Sequence, residues 1–275
     1  MSEWLVHVLA QIGLELNFKK TKILHNHDTL EFNDVDYLDI NGDMVEILHD
    51  DKYHKYLDRY LSLSCNERLD HEFRHRKNQA WAAFHKHKAV ILNKHVSLVK
   101  RLQYFDMCVS PAMIYGLSTF PMTLGKLKEL DRLQRRMLRR IVGWRRIDGE
   151  EWRTTMIRMN ERLSRANQIY TCKSWSSSFA RSQWRYVCHL LHGPISLWSR
   201  ILCKYNWSAA YDPQSRVIPH RRMGYPRQKW DDHIHSFCSF LWPAQKHTHW
   251  FDILVNLCAE DYEETYTEYL SHALV

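Results

Sequence analysis

Leu124-Gly-Lys-Leu-Lys-Glu-Leu-Asp-Arg-Leu-Gln-Arg-Arg-Met-Leu-Arg-Arg-Ile-Val142, followed by Gly143, is the stretch that decides the fold. Leu127, Leu130, Met137 and Ile141 recur at spacings of three, seven and four, which places them on one face of an α-helix. Gly143 supplies the left-handed residue on which helices commonly end. From Arg132 to Arg146 the chain carries seven arginines (Arg132, Arg135, Arg136, Arg139, Arg140, Arg145 and Arg146) and no acid. On a helix, Arg132, Arg135, Arg136 and Arg139 fall on the side away from Leu130, Met137 and Ile141.

The same reading extends in both directions. Upstream, Ser64-Cys-Asn-Glu67 matches a capping box, and Leu69, Phe73, Ala80, Phe84 and Ile91 continue at spacings of four and seven. Leu98, Leu102, Phe105 and Val109 mark a second helix, interrupted near Pro111 and stopped by Gly116. Downstream, Trp152, Met156, Met159, Leu163, Ala166 and Tyr170 read as the inward face of another helix, with Asp148 and Glu151 suited to cap its start. Trp175 to Leu191 reads as an aromatic-rich helix, and Pro194 opens a short one. Asn206 to Pro226 is a basic loop, Gln228 to Leu241 and Trp250 to Leu257 are weaker helical runs, and Glu260 to Glu268 is an acidic end.

Only the first residues speak for β structure. After a short helix over residues 3–12 closed by Gly13, short strands are expected at Thr29–Phe32, Tyr37–Ile40, Met44–Leu48 and Tyr56–Leu63, with Asn41-Gly42-Asp43 as a tight turn. The expected fold is mainly α, a helical bundle preceded by a small antiparallel β-hairpin or sheet. Its divisions are 1–63, 64–172 and 173–275, the last combining helices, the basic loop and the acidic end.

With 45% hydrophobic and 25% charged residues the composition is that of a globular protein and excludes a disordered tail. A net charge of +8 favours polyanion partners without choosing among them. The seven cysteines are an odd number, scattered and without a Cys-x-x-Cys pair, so a reducing interior is expected rather than a secreted disulfide framework. No signal pattern and no membrane span is evident, which points to an intracellular protein, nuclear or cytoplasmic.

Two short segments narrow the reading. Gly13-Leu-Glu-Leu-Asn-Phe-Lys-Lys-Thr-Lys22 resembles the lysine-bearing segment after the catalytic hairpin of a reverse transcriptase palm. His54-Lys-Tyr-Leu-Asp-Arg-Tyr-Leu61 resembles the primer-grip hairpin that closes that palm. Ala80-Trp-Ala-Ala-Phe84, Pro111-Ala-Met-Ile-Tyr-Gly116 and Leu133–Trp144 look like successive landmarks of the helical thumb that follows it. Gly224-Tyr-Pro-Arg-Gln-Lys-Trp-Asp-Asp232 resembles a segment near the C-terminal end of such proteins, with Tyr225 in place of the usual Arg. In order and spacing, the chain resembles the C-terminal part of a non-LTR (LINE-type) retrotransposon reverse transcriptase: the end of the palm, the thumb and the region downstream.

The resemblance implies a truncated RNA-directed DNA polymerase that lacks the catalytic aspartates and retains at most template–primer binding, with RNA, DNA or their hybrid as partner. Lys19, Lys20 or Lys22 would approach an incoming nucleotide phosphate, and Tyr56 and Leu57 would cradle the primer terminus. Asp58 stands where the family's motif has glycine, which reads as decay of the grip. Mg²⁺ would be needed only with a complete palm supplied by other sequence, and no cofactor or metal is expected for this chain alone.

The residues themselves offer no better catalytic set. Asp50-Asp51 is followed by Lys52-Tyr-His-Lys rather than a returning apolar strand, and Asp231-Asp232 fits a helix start through the helix dipole. Cys172, Cys188, His189, His192 and Cys203 supply zinc-ligand types, but their spacing matches no zinc module. The arginine run is the stronger candidate, because guanidinium forks suit phosphate oxygens. The rival readings are a solvated helix face or import signal on a helical interaction or scaffold protein, an inactive relic with no retained ligand, and an enzyme completed in trans.

Overall fold

The computed structural model describes residues 2–24, 36–40, 42–48, 53–56, 58–61, 65–194, 229–246 and 248–274, in which helix dominates and strand is confined to the first 61 residues. The expected strand at Thr29–Phe32, Leu57, Asp50-Asp51, Ser64, the short helix after Pro194 and the basic loop to Pro226 lie outside the described residues. The chain divides into two units, Met1–His75 and Arg76–Val275.

The first unit opens with α1 (Ser2–Gln11), which ends before Gly13 at a φ of 74°. Three strands follow: β1 (Lys22–Leu24), β2 (Tyr37–Ile40) and β3 (Asp43–Leu48). β2 and β3 form the expected antiparallel pair, with Ile40 opposite Asp43. Their turn is held by the Gly42 N–H, which donates to Asp39 Oδ1 at 2.7 Å while Gly42 sits at a φ of 91°. Sequence reading missed β1, which adds to the other edge of β3 in parallel, so the sheet is mixed and ordered β1-β3-β2. Ile40, Val45, Ile47 and Leu48 are its buried residues.

The run that the aromatics read as a strand from Tyr56, and that the resemblance reads as a hairpin over His54–Leu61, is a hairpin of β4 (His54–Tyr56) and β5 (Arg59–Leu61), with Tyr56 opposite Arg59. The two-residue connection is too short for ordinary right-handed turns, which splay twisted strands, so it needs a residue at positive φ. Asp58 takes that role at a φ of 61°. Asp is among the few L-residues that enter this region readily. Lys55 Nζ lies 2.6 Å from its carboxylate. The aspartate therefore supplies the left-handed residue that the short connection needs. Glu72, buried, accepts the Tyr60 N–H at 2.9 Å, and Tyr53 and Tyr60 pack on His71 and His75 at centroid distances of 4.0 and 4.9 Å.

Helix α2 (Cys65–Lys86) contains the division between the units, and the second unit continues with α3 (Lys88–Ile91), α4 (Leu98–Cys108) and α5 (Ser110–Ile114). Gly116, at a φ of 71°, ends this run as expected. Next come α6 (Leu124–Ile141), α7 (Trp152–Ile169) and α8 (Trp175–His192). From residue 229 onward the described α-helices are α9 (Asp232–Leu241), α10 (Trp250–Leu254) and α11 (Glu263–Ala273). The acidic end is thus helical: Tyr266, Thr267 and Leu270 are buried along one side.

Helix α8 is the axis of this unit and packs against α5, α6 and α11. Its buried side chains run its whole length, from Trp175 through Phe179, Gln183, Trp184 and Val187 to Leu191. Each polar atom among them has a partner, as burial requires. Trp175 Nε1 donates to Ser110 Oγ (2.8 Å), and Trp184 Nε1 to the Ala259 carbonyl (2.7 Å). Gln183 bridges the Trp230 carbonyl (2.9 Å) and the Tyr266 hydroxyl (2.6 Å). The N-terminus of α8 is held by α6. Gln134 donates to the Lys173 carbonyl (2.8 Å) and accepts the Trp175 N–H (3.0 Å), and Asp131 accepts the Ser176 N–H and hydroxyl (2.9 and 2.6 Å).

Two outcomes are expected. Asp58→Gly or Asp58→Asn should leave amide protection across His54–Leu61 nearly unchanged, whereas Asp58→Val should weaken the hairpin by about 1–2 kcal/mol in hydrogen exchange, the strain of a left-handed L-residue. Gln134→Leu strands a buried donor and a buried acceptor, and should lower stability to urea by about 2–4 kcal/mol.

Candidate nucleic-acid interface

The buried seam of α6 is Leu127, Leu130, Leu133, Gln134, Met137, Leu138 and Ile141, wider than the four residues read from periodicity. Thr123 caps its start by accepting the Lys126 N–H at 3.1 Å. Its last carbonyls, where the helix dipole is negative, receive arginines from two neighbours. Arg101 of α4 donates to the Ile141 carbonyl (2.7 Å), and Arg162 of α7 donates to those of Val142 and Gly143 (3.0 and 3.3 Å). The helix is thereby fixed at its C-terminal end, and its other side carries the arginines.

Arg132, Arg135, Arg136 and Arg140 are exposed and Arg139 is half-buried, all on the non-core side as expected. Arg136 and Arg140, one turn apart, both lie over the Trp81 ring, at 5.7 and 4.8 Å from its centroid. Such cation–π contacts contribute about 0.5–1 kcal/mol at exposed sites and orient the guanidinium. Arg139 donates twice to Asn160 Oδ1 of α7 (3.2 and 3.0 Å). Burial, and then the charge of Arg135, push the Arg139 pKa down. Arg145 and Arg146 are exposed in the loop between α6 and α7.

An open groove of about 500 Å³ is lined by Arg132, Arg136, Arg139, Arg140, Trp144, Trp152 and Met156, and no carboxylate is among these residues. A second hollow, of about 730 Å³, continues between α6 and α7 past Arg132, Arg135, Arg139, Asn160 and Asn167. Asp131 lines it, but its carboxylate is engaged at the start of α8. Trp152 corrects the sequence reading: it was expected on the inward face of α7, yet it is 58% exposed. It leans on Trp144, itself 38% exposed, with ring centroids 5.7 Å apart and planes at 54°. The signal that could have found this pair is two tryptophans flanking an arginine-bearing loop.

That loop is held by Glu150, and neither Asp148 nor Glu151 caps the start of α7 as expected. Glu151 occupies the N-cap position of α7 without a side-chain cap, and Asp148 is exposed. Glu150 receives Arg158 in a forked pair (2.9 and 2.7 Å) and the Thr155 hydroxyl (2.7 Å). Arg158 also donates to the Arg145 carbonyl at 2.7 Å. The hydrogen bonds from Arg158 and Thr155 hold the Glu150 pKa down at about 2.

The remaining sequence candidates are dispersed. Lys19 and Lys20 are exposed on a turn in which Asn17 accepts the Lys20 N–H (3.2 Å), whereas Lys22 is ion-paired with Glu46 on the adjoining strand. Tyr56 is exposed at the end of β4. These residues belong to the first unit and the arginines to the second.

At the start of α9, Asp232 accepts the Lys229 N–H (2.6 Å) and Asp231 accepts Trp250 Nε1–H (3.0 Å). Burial alone would raise the Asp231 pKa, but hydrogen bonds from His249 and Trp250 bring it below the ordinary carboxylate value. His192 meets Glu260 at 3.0 Å, and burial pushes the Cys188 thiol up to about 11. Among the described residues no group of three or more His, Cys, Asp or Glu side chains could hold a metal ion. Among the same residues no helix is long and apolar enough to cross a membrane.

No family model matches the chain, and no solved structure matches it. A relative from Caenorhabditis elegans, described as an uncharacterized transposon-derived protein, is 33% identical over 148 residues, covering 52% of this chain. The chain spans about half the length of that relative (49%). The likeness supports a transposon-related origin.

The Glu150 pair has a measurable pH signature. A carboxylate with a depressed folded pKa stabilises above its ordinary value of 4.5, and that contribution is lost as pH falls through about 2. In thermal unfolding, wild type should exceed Glu150→Gln at neutral pH, and the gap should narrow steadily as pH falls from 4.5 towards 2.

Proposed function

We propose that this chain is the end of the palm, the thumb and the downstream region of a non-LTR retrotransposon reverse transcriptase, and that it holds the RNA–DNA template–primer through the arginine face of α6. In this reading residues 1–63 are palm with its primer-grip hairpin, 64–172 the thumb and 173–275 the C-terminal region. Polymerisation itself would depend on aspartates and Mg²⁺ beyond the residues described, and the protein would act in the nucleus or cytoplasm.

The observation that carries the proposal is the groove along α6, where four arginines line a hollow without a carboxylate. Guanidinium forks bind phosphate bidentately, and each phosphate neutralised releases condensed counterions, which makes binding steeply salt-dependent. The transposon-derived relative and the order of the palm-like and thumb-like segments point the same way. The Asp58 turn supports it as well, since its left-handed backbone is the one the glycine of a primer-grip hairpin would supply. Lys19, Lys20 and Tyr56, all exposed, would serve the nucleotide and primer ends.

Fluorescence anisotropy with a labelled RNA–DNA hybrid tests this. Wild type should bind with a log–log salt slope of several units. Replacing Arg135, Arg136, Arg139 and Arg140 with Gln should reduce that slope by about two to four, at roughly 0.9 per phosphate contact on duplex. An unchanged slope and affinity would return the arginine row to an ordinary solvated face and the chain to a helical interaction protein.

A further inference from the structure

We infer that the Trp144–Trp152 end of the α6 groove takes an unpaired nucleobase, so that the chain prefers nucleic acid carrying a single-stranded nucleotide beside the duplex over an uninterrupted duplex. This rests on the reading of the arginine face as a nucleic-acid interface, and it assigns that face a specificity the arginines alone would not have.

Three observations converge on it. First, the two largest apolar side chains of the groove are exposed at its rim, although tryptophan is normally well buried. Their planes meet at 54°, so each ring keeps a face that the other does not cover. Second, the tryptophans differ in their company. Trp81 already lies beneath Arg136 and Arg140, whereas among the described residues no arginine covers Trp144 or Trp152. Third, the backbone on both sides of Trp144 is held in advance: Arg158, itself paired with Glu150, donates to the Arg145 carbonyl and Arg162 to the Gly143 carbonyl, so stacking would not first have to order that backbone.

The chemistry selects the occupant. Arg132, Arg136, Arg139 and Arg140 call for an anion, and the free indole faces call for a flat, polarisable partner within the same hollow of about 500 Å³. An acidic peptide satisfies the first demand and leaves the second unmet. A nucleotide meets both, with phosphate on the guanidinium groups and base on indole. A base paired within a duplex has its faces covered by its neighbours, so the nucleotide must be unpaired or at a strand end.

Anisotropy with the full chain and three labelled probes decides the matter: a blunt RNA–DNA hybrid, the same hybrid with a short unpaired extension, and that extension with its bases removed but its phosphates kept. The extension should be tried as RNA and as DNA. The intact extension should bind about five- to 150-fold more tightly than the abasic one, the range expected for one base stacked on an aromatic ring. Trp144→Ala and Trp152→Ala should erase that ratio while leaving the salt slope in place, and Trp144→Phe should keep part of it. Equal binding of intact and abasic extensions by wild type, with the salt slope retained, would overturn this inference and leave the proposed function standing. Loss of binding to all three probes would overturn the proposed function, and this inference with it. The wild-type comparison needs no variant, so a folding defect in an alanine mutant cannot blur the result.

Discussion

A helix begins with four N–H groups that have no partner within it, and when that end is buried something else must receive them. At the start of α8 the receivers are Asp131 and Gln134, three residues apart on α6, together with Ser174, which accepts the Ser177 N–H. This contact is what the second unit depends on. Leaving either N–H unpaired there would cost about 1–3 kcal/mol. Because both receivers sit on the same side of α6, satisfying them sets the rotation of that helix about its axis. Once the Asp131–Gln134 side faces α8, the residues on the other side, Arg132, Arg136 and Arg140, can only face outward. The orientation of the basic row thus follows from polar satisfaction in the core.

The same contact shapes the electrostatics. Asp131 is the acid nearest the arginine row in sequence, and its carboxylate is engaged by the backbone and hydroxyl of Ser176. Asp148 is exposed on the loop beyond the row, Glu150 is engaged by Arg158, and Glu129 by Lys77. The ion pairs among the described residues therefore include none from Arg132, Arg135, Arg136 or Arg140. Unbalanced like charges at helical i,i+4 spacing are mildly destabilising, by a few tenths of a kcal/mol per pair. Trp81 offsets part of that at Arg136 and Arg140, and Asn160 holds Arg139 with neutral oxygen. The fold tolerates a concentrated positive face rather than neutralising it.

What could be read from the residues was whatever repeats locally. The apolar spacing of Leu127, Leu130, Met137 and Ile141 located α6, and Gly13, Gly116 and Gly143 each sit at the positive φ expected of helix ends. Features that depend on distant partners were not legible. Strand β1 has three residues and exists through its parallel pairing with β3, more than twenty residues away. Gln134 is a polar side chain in a seam, and nothing local announces that it docks another helix. Trp152 continued the apolar rhythm of α7 by one position too many, because periodicity tells which face a residue is on but not where the covering neighbour stops. Tyr266 and Leu270 carried a readable four-residue spacing that the acidic composition around them masked.

The helical period that builds the seam also spaces the cations. With a rise of 1.5 Å per residue, the steps from Arg132 to Arg136 and on to Arg140 are each about 6 Å along the axis. Phosphates of one strand of B-DNA advance about 3.4 Å per nucleotide along its axis, so an arginine helix aligned with such a strand would meet roughly every second phosphate. In the proposed reading such a row would hold a backbone without regard to sequence. In that reading discrimination would come from groups that sense something other than charge, and Trp144 and Trp152 stand in the same groove as the arginine row. Glu150 holds Arg158, and Arg158 in turn holds the Arg145 carbonyl, so the backbone next to Trp144 is tied to the start of α7, which carries Trp152.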